Sequence, residues 1–158
     1  MKTSTIGFLI IFLVVLDQIS KLLITSNLNL GESLSLLPFL NFTLIHNAGI
    51  AFSIFDQRGD ISRWLLVISV STILAYLFFL LYKKTPNHQL ELISLLFIIS
   101  GGLGNLIDRV FLGYVVDFIH VFYQDYSFYV FNMADSYITV GIILYLSYFF
   151  FIERDEQT

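Results

Sequence analysis

Four long apolar segments divide this chain, at about residues 5–24, 63–82, 90–107 and 135–152. Each is long enough to cross the hydrocarbon core of a bilayer as a helix, which takes about 20 residues. Hydrophobic residues make up 57% of the chain and charged residues only 13%, and the mean hydropathy is +0.82. Soluble domains carry about a quarter charged residues. We therefore predict an all-α membrane protein with four transmembrane helices in a single domain, residues 1–158.

The two longest connections, residues 25–62 and 108–134, are predicted to lie on the same side of the membrane. An even number of spans places both termini on the other side, and a slight excess of basic residues there favours the cytoplasm. Residues Phe39 to His46 are rich in aromatic and β-branched residues, as strands are. We expect the first connection to form a small extracytoplasmic sheet.

Aromatic residues crowd the second connection. Seven of them lie between positions 118 and 134: Phe118, Phe122, Tyr123, Tyr126, Phe128, Tyr129 and Phe131. Such residues anchor proteins at the membrane–water interface. They could also form an apolar flap that closes over a site.

Two carboxylates stand in apolar surroundings, Asp117 after Val115-Val116 and Asp135 before the fourth apolar segment. An isolated charge is expensive there, so we expect the two acids to meet. Carboxylates that meet share one proton, and one can then activate a water while the other protonates an amide carbonyl. We expect Asp135 to be the ionised member, because a helix N-terminus favours negative charge. Two plainer roles remain open: Asp117 as a partner of Arg109, and Asp135 as a capping acid behind Asn132.

The third apolar segment carries Gly101, Asn105 and Arg109 at intervals of four, on one helix face. Ser100 and Gly104 form a pair of small residues that lets another helix or a substrate backbone approach closely. Tight packing, with Arg109 at the headgroups, accounts for the glycines. It does not account for Asn105, because a buried amide needs partners and can hydrogen-bond a peptide backbone.

Two further polar pairs are candidates for the site. Asp17 and Lys21 are spaced i,i+4 on the first helix. They form either an ion pair that lets Lys21 reach the interface or a device that positions substrate or lipid. Asn47 stands two residues before Gly49, which permits close backbone approach. Alone, Asn47 is more typical of a turn.

Several function classes are disfavoured. The chain has no cysteine, which excludes thiol catalysis, thiolate metal sites and disulfides. It also has no basic stretch that would indicate nucleic-acid binding. A metal-dependent hydrolase using His46, His120 and the aspartates is an alternative, although only three histidines are present. A Ser20–Lys21 dyad is poorer, because adjacent helix residues do not face each other.

Two non-hydrolytic alternatives also remain. An ion or proton transporter could use an intramembrane relay of Asp17, Lys21, Asp117 and Asp135. Against it, the acids cluster at one side of the membrane. A non-enzymatic membrane scaffold is the other possibility.

Five motifs follow one another along the chain: Asp17-Gln18-Ile19-Ser20-Lys21, Asn47-x-Gly49-x-Ala51-Phe52, Gly104-Asn105-Leu106-Ile107-Asp108-Arg109, Gly113-x-Val115-Val116-Asp117-Phe118 and Phe131-Asn132-x-Ala134-Asp135-Ser136. With all five in this order, nearly the whole chain resembles the lipoprotein signal peptidases (signal peptidase II). These are four-span aspartyl peptidases of the bacterial cytoplasmic membrane. One departure is that Ile50 and Ser53 stand where the family more often has Ala and Gly, which affects the shape of that wall.

The resemblance implies an enzyme that cuts prolipoproteins just before a diacylglyceryl-modified cysteine, without metal or cofactor. Asp117 and Asp135 match the catalytic dyad. The residues that match positions holding the lipidated peptide, or the cyclic peptide inhibitor globomycin, are Asn47, Gly49, Asn105, Arg109 and Asn132. Asp17 and Lys21 match a structural or positioning pair.

The resemblance also implies a location and partners. Residues 25–62 would form a β-cradle and residues 118–134 a mobile flap, with the active site near the outer face of the inner membrane. Both termini of this multi-pass protein would be cytoplasmic. The expected partners are lipid-modified prolipoproteins and membrane lipids, and the expected state is a monomer.

Overall fold

The computed structural model describes residues 3–49, 60–83, 88–124 and 126–153. Four long helices occupy these ranges: α1 Thr3–Asn27, α2 Asp60–Lys83, α3 Gln89–Phe111 and α4 Met133–Tyr148, the last followed by a π-helical turn at Phe149–Glu153. All four are long and apolar enough to cross a membrane, which confirms the predicted four-helix architecture. The predicted wall residues Ile50, Ala51, Phe52 and Ser53 lie outside the described ranges.

The helices turn many large apolar side chains outward and several polar ones inward. Phe8 and Leu65 are 66% and 60% exposed, whereas Asp17 and Ser94 are fully buried. Lipid solvates outward apolar groups, whereas buried polar groups need partners inside the protein. Helix α3 contacts each of the other three helices and so forms the centre of the bundle.

Glycines on α3 and α4 allow this close approach. A Cβ added at Gly101 would collide with the backbone carbonyl oxygen of Ala134 in α4. One added at Gly104 would come within 2.6 Å of Asp17 Oδ2, and one at Gly141 within 2.8 Å of the Ser94 carbonyl oxygen. The small residues predicted on this helix therefore serve packing, and Gly104 specifically leaves room for a buried carboxylate.

Helix α3 ends later than the apolar pattern suggests, at Phe111 rather than at residue 107. The charges of Asp108 and Arg109 do not stop it, because Asp108 is buried and ion-paired. The last carbonyls are capped from α2, where Arg63 Nε donates to Arg109 O at 2.8 Å and Nη2 donates to Val110 O at 2.5 Å. Gly113, at φ +88°, then turns the chain into the sheet.

A four-stranded antiparallel sheet connects the helices. Its strands, in spatial order, are β1 Ser33–Leu37, β2 Leu40–Asn47, β3 Val115–Tyr123 and β4 Tyr126–Ser127. The small sheet and its strand at about residues 39–46 are confirmed. What the sequence did not show is that β3, from the second connection, pairs with β2.

The aromatic segment predicted as a flap is, in large part, this strand and the chain that returns along it. Phe131 O accepts from Ile119 N at 2.7 Å, and Phe131 N donates to Ile119 O at 3.0 Å. Phe118 is 3% exposed and packs edge-on against Phe42, so an interfacial or flap role for it is wrong. Four of the other aromatics are well exposed, and these are Tyr123, Tyr126, Phe128 and Tyr129.

Candidate active site

Asp117 lies in β3, opposite Ile45 of β2, and its side chain is almost fully buried. Its Oδ2 accepts a hydrogen bond from Asn47 Nδ2 at 2.8 Å, and its Oδ1 accepts one from Asn132 Nδ2 at 2.6 Å. The ion pair with Arg109 that the sequence left open is not formed in the described part of the chain. Asp117 is therefore a buried carboxyl solvated by two neutral amides.

Asp135 lies in the first turn of α4 as one half of a capping box. The Asn132 side-chain oxygen accepts from Asp135 N at 2.9 Å, and Asp135 Oδ2 accepts from Asn132 N at 3.2 Å. The capping role predicted for both residues is confirmed. The other carboxylate oxygen, Oδ1, accepts from Asn105 Nδ2 at 2.7 Å, so Asp135 is also tied to α3.

Asn132 joins the two aspartates. Its side chain is fully buried, and it contacts Asp117 through Nδ2 while its Oδ1 caps the backbone of Asp135. The same Nδ2 lies 3.1 Å from Asn105 Oδ1. The two candidate catalytic residues are thus brought together by a network in which each amide has a definite partner.

The electrostatic setting of Asp117 favours its neutral form. Burial, with a smaller contribution from the nearby charge of Asp135, raises the pKa of Asp117 to about 6. The hydrogen bonds from Asn47 and Asn132 and the charge of Lys21 act in the opposite direction and do not outweigh burial. A carboxyl with this pKa can hold a proton under mildly acidic conditions, as a general acid must.

Asn47 and Gly49 form one turn at the end of β2. Gly49 N donates to Asn47 Oδ1 at 2.8 Å, and Gly49 adopts φ +93°, where a side chain would be strained. Asn47 is therefore both the turn residue and the contact of Asp117. The predicted turn is confirmed, whereas a contact of Asn47 with a ligand stays a prediction.

The guanidinium of Arg109 uses only part of its hydrogen-bonding capacity in contacts within the described residues. Its Nη1 donates to Asn105 O at 3.3 Å, whereas its buried Nε has no hydrogen-bond partner among the described residues. The guanidinium interacts electrostatically with Asp135, Asp117 and Asp108. The positive charge of Arg109 is therefore directed at the two acids of the site.

Lys21 does not reach toward an interface. It is 3% exposed, and its Nζ lies 2.8 Å from Asp17 Oδ2 and 2.9 Å from Asp108 Oδ2. The predicted Asp17–Lys21 ion pair is confirmed, and the alternative in which Lys21 extends to the membrane interface is wrong. The ammonium turns inward because two buried carboxylates need a counter-charge.

Two residues in contact with Asp17 or Lys21 were not predicted as site residues. They are Asp108, which stands in the third motif, and Gln18, which stands in the first. Gln18 Nε2 donates to Asp108 Oδ1 at 2.9 Å and to Asp17 Oδ2 at 3.2 Å. A lysine inside an apolar segment with an acid four residues before it favours a further acidic partner on another helix, which here is Asp108.

Both aspartates open onto one cleft of about 530 Å³. Its walls come from the end of β2, from β3, from the returning aromatic segment and from the start of α4: Ile45, His46, Asn47, Ala48, Gly49, Asp117, Tyr129, Val130, Phe131 and Asp135. A second groove of about 470 Å³ begins at the same Asp135 and runs along α4 to Val140. The cleft can hold an extended peptide against the two carboxyl groups, and the groove offers an apolar continuation.

The histidines have other contacts. His120 Nε2 lies 2.7 Å from Ser127 Oγ, His46 stacks on Tyr114, and the His88 side chain caps α3 by accepting from Leu90 N. In the described ranges no three His, Asp or Glu side chains come together as a metal-binding group. Ser20 Oγ donates to Asp17 O rather than approaching Lys21.

Known proteins are similar to this chain in sequence and in fold. The sequence pattern of signal peptidase (SPase) II matches residues 9–151. A lipoprotein signal peptidase of Acinetobacter baumannii is 44% identical over 144 residues, which cover 90% of this chain and 81% of the relative. One of Streptococcus pyogenes serotype M2 is 39% identical over 145 residues and 91% of both chains.

A solved bacterial membrane enzyme, determined by the in meso method at 1.9 Å resolution, superposes with a TM-score of 0.82. It is 32% identical, and the match covers 95% of each chain. A second one, at 2.3 Å resolution, is 30% identical with a TM-score of 0.80 and covers 99% of this chain and 93% of the other. The sequence and the fold agree, and the chain belongs to the signal peptidase II family.

Proposed function

We propose that this protein is an aspartic endopeptidase that removes the signal peptide from diacylglyceryl-modified prolipoproteins, cutting before the lipidated cysteine. The observation that carries the proposal is the arrangement of Asp117 and Asp135. They come from different elements, share the amide of Asn132 and line one cleft. The names of the relatives, lipoprotein signal peptidases, supply the substrate class.

The chemistry follows from the two different surroundings of the acids. Asp117, whose pKa burial raises to about 6, is the member of the pair that supplies the proton. Asp135, at the N-terminus of α4 where a negative charge is favoured, acts as the base. Asp135 takes a proton from a water as the water oxygen bonds to the amide carbon. Asp117 gives its proton to the carbonyl oxygen, and a tetrahedral diol results.

Collapse of the diol restores the pair. Asp135 passes its newly acquired proton to the amide nitrogen, the carbon–nitrogen bond breaks, and Asp117 takes back a proton from one hydroxyl. The products are the carboxyl end of the signal peptide and the amino group of the lipidated cysteine. The two carboxyls return to their starting state with one proton between them.

The remaining predicted residues divide into two roles. Asn105 and Asn132 orient the dyad, since their side chains already bond to it. Asn47 and Gly49 line the cleft and would lie beside the bound peptide. Arg109 is not one of the residues that line the cleft, and it would reach a peptide carbonyl only after its side chain moves. Globomycin would compete for these same contacts.

The cleft also suggests how the lipidated substrate is held. Tyr129 and Phe131 border both the cleft and the groove along α4. We assign the exposed aromatic segment a covering role, with the apolar groove receiving the membrane-embedded part of the substrate. The site lies near the outer face of the bacterial cytoplasmic membrane, with both termini inside, and the enzyme works as a monomer.

The test is cleavage of a purified diacylglyceryl-modified prolipoprotein in detergent with a chelator present. Wild type is compared with Asp117→Asn and Asp135→Asn, each verified as folded by thermal unfolding. The unlipidated precursor serves as the matched substrate control. We expect wild type alone to cut, and only the lipidated form, with globomycin blocking the reaction.

Each contrary result has a distinct meaning. Cleavage by a folded Asn variant would show that the dyad is misassigned. A wild type that cuts only when the chelator is left out would favour the metal-dependent hydrolase. A folded wild type that cuts nothing but conducts protons in liposomes would favour the transporter. The structure offers that reading little support, because the charged side chains lie in one region of the bundle and not along its length: Asp17, Lys21, Asp117 and Asp135.

A further inference from the structure

The buried charges of α1 and α3 contact the backbone on either side of the cleft. Asp17 Oδ1 accepts from the backbone N of Ala134 at 2.9 Å, and Asp108 Oδ2 accepts from the backbone N of Val116 at 3.1 Å. Ala134 immediately precedes Asp135, and Val116 immediately precedes Asp117. Each carboxylate of the cluster therefore holds the main chain one residue before one of the two candidate catalytic acids.

Lys21 connects these two contacts. Its ammonium lies between Asp17 and Asp108, at 2.8 Å and 2.9 Å from the nearest oxygen of each, and Gln18 bridges the same two carboxylates. Lys21 also donates to Asn105 Oδ1 at 3.1 Å, which leaves the Asn105 amide group to face Asp135. The ammonium thus also fixes which way the Asn105 side chain points.

We propose that Asp17, Lys21 and Asp108, the positioning cluster, set the separation and orientation of the Asp117 and Asp135 carboxyl groups. The inference rests on the proposed function, in which those two carboxyls do the chemistry. None of the three cluster residues lines the cleft, so they act through the backbone of Val116 and Ala134 and through Asn105. They are positioning residues and not catalytic ones.

Physical reasons favour an ionic cluster for this task. Hydrogen bonds that involve a charged partner are shorter and stronger than neutral ones, so they hold a backbone segment more tightly. A buried ion pair contributes little to stability compared with an apolar replacement, and its best-attested use is to specify one arrangement. A dyad needs that specificity, because a displacement of about 1 Å can cost about 100-fold in rate.

The test compares Asp108→Asn and Asp17→Asn with wild type in the same cleavage assay. Each variant keeps an acceptor oxygen but loses the charge that pairs with Lys21. We expect kcat to fall on the order of 10- to 100-fold while KM stays unchanged. Leu95→Ala is the matched control, because Leu95 is a buried core residue of α3 outside the cluster and the cleft.

The pH–rate profile separates positioning from stability. Two carboxyl groups that lie close together titrate at well-separated pH values, and this separation sets the width of the bell-shaped plot of kcat/KM against pH. A variant in which the two carboxyl groups lie farther apart should therefore give a narrower plot. The titratable and charged groups that face the dyad are His46, Tyr129, Lys21 and Arg109. Each Asn variant also removes one negative charge beside Lys21, so Lys21→Arg, which keeps every charge of the cluster, is the charge-matched variant and should narrow the profile too. Leu95→Ala should keep the wild-type width even when it is equally destabilised. An unchanged width in both Asn variants, or a KM that rises with unchanged kcat, would overturn the proposal.

Two additions keep the test decisive. If the Asn variants fail to fold, Lys21→Arg keeps the positive charge but changes its distances to Asp17 and Asp108, and the same narrowing is expected. NMR titration of carboxyl-labelled aspartates needs no substrate and measures how far apart the two dyad midpoints lie. If the wild type does not cleave the substrate but the two titration midpoints converge in the variants, only the proposed function is refuted. If the wild type cleaves the substrate and the midpoints stay where they are in the variants, only the positioning cluster is refuted.

Discussion

The Asn132 side chain donates to the Asp117 carboxylate at 2.6 Å from the position that also caps helix α4. One residue therefore starts a membrane-spanning helix and solvates a buried acid. The strand and the helix that carry the two acids are joined at this amide. Any change in the cap is transmitted to the dyad.

Replacing Asn132 should separate these two functions. Asn132→Ser keeps a capping oxygen but is too short to donate to Asp117, whereas Asn132→Ala removes both. We expect Asn132→Ala to lose about 1 kcal/mol of stability, the usual contribution of an N-cap, and Asn132→Ser to lose much less. Both should lose most activity. Thermal unfolding in detergent and the cleavage assay measure the two effects, and an active Asn132→Ser would show that the amide is not needed at the dyad.

The pKa of Asp117 predicts how activity depends on pH. Because Asp117 must carry its proton, kcat/KM should decline as the pH rises through about 6, the value to which burial raises this pKa. Asn47→Ala removes a hydrogen bond that lowers the pKa, so the decline should move to higher pH. The comparison is a pH series of kcat/KM for both enzymes. A shift toward lower pH would contradict the assignment.

The free energy of unfolding should also depend on pH through the carboxyl group of Asp117. The pKa of Asp117 is raised from 3.8 to about 6, so the folded protein binds this proton more tightly than the unfolded chain. The contribution of Asp117 is fully present below about pH 3.8 and is lost as the pH rises through about 6. Asp117→Asn mimics the protonated form and should flatten this dependence. The unfolding temperature of both proteins between pH 4 and 7 checks the sign, and parallel curves would argue against a raised pKa.

Gly104→Ala should disturb the packing of α3 against α1. The new Cβ would lie 2.6 Å from Asp17 Oδ2, and Asp17 is held by Lys21 and by Ala134 N. We expect destabilisation of about 1–3 kcal/mol, typical of overpacking, together with lower activity. Gly7→Ala is the control, because nothing lies within 4 Å of a Cβ there. Equal unfolding temperatures of the two variants would show that the site yields easily.

Arg63 should matter for the end of α3. Its two hydrogen bonds to Arg109 O and Val110 O satisfy carbonyls that have no partner within the helix. Arg63→Met keeps the length of the side chain and removes both bonds. We expect the free energy of unfolding to fall by at most about 1.5–3 kcal/mol for each hydrogen bond removed, because the donor is charged. Arg63→Lys should lose less than Arg63→Met but remain less stable than wild type. Thermal unfolding measures it, and wild-type stability in Arg63→Met would show that solvent or lipid headgroups replace the cap.

Some of the site could be predicted from local pattern. Asn132 and Asp135 have the spacing of a capping box, and Asp17 and Lys21 have the spacing of a helical ion pair, so both pairs formed as expected. Local interactions of this kind depend on residues three or four apart. They are set before any tertiary contact is made.

Other parts depended on distant contacts. Asp108 looked like a charge at the end of a helix, and its burial results from Lys21 on another helix. Phe118 looked like one aromatic of an exposed segment, and its burial results from the pairing of β3 with β2 and from the contact with Phe42. The sequence contains these residues but not the register that brings them together.

The amino-acid sequence by itself determined four apolar helices, one strand-rich connection and the order of the five motifs, because hydrophobic period and length are local properties. Only the tertiary structure decided that Asp117 and Asp135 share Asn132, and that Asp17 and Asp108 hold the backbone behind them. These contacts join positions as far apart as Asp17 and Ala134. They form only when glycines let the helices approach and when buried polar groups must find partners inside the protein.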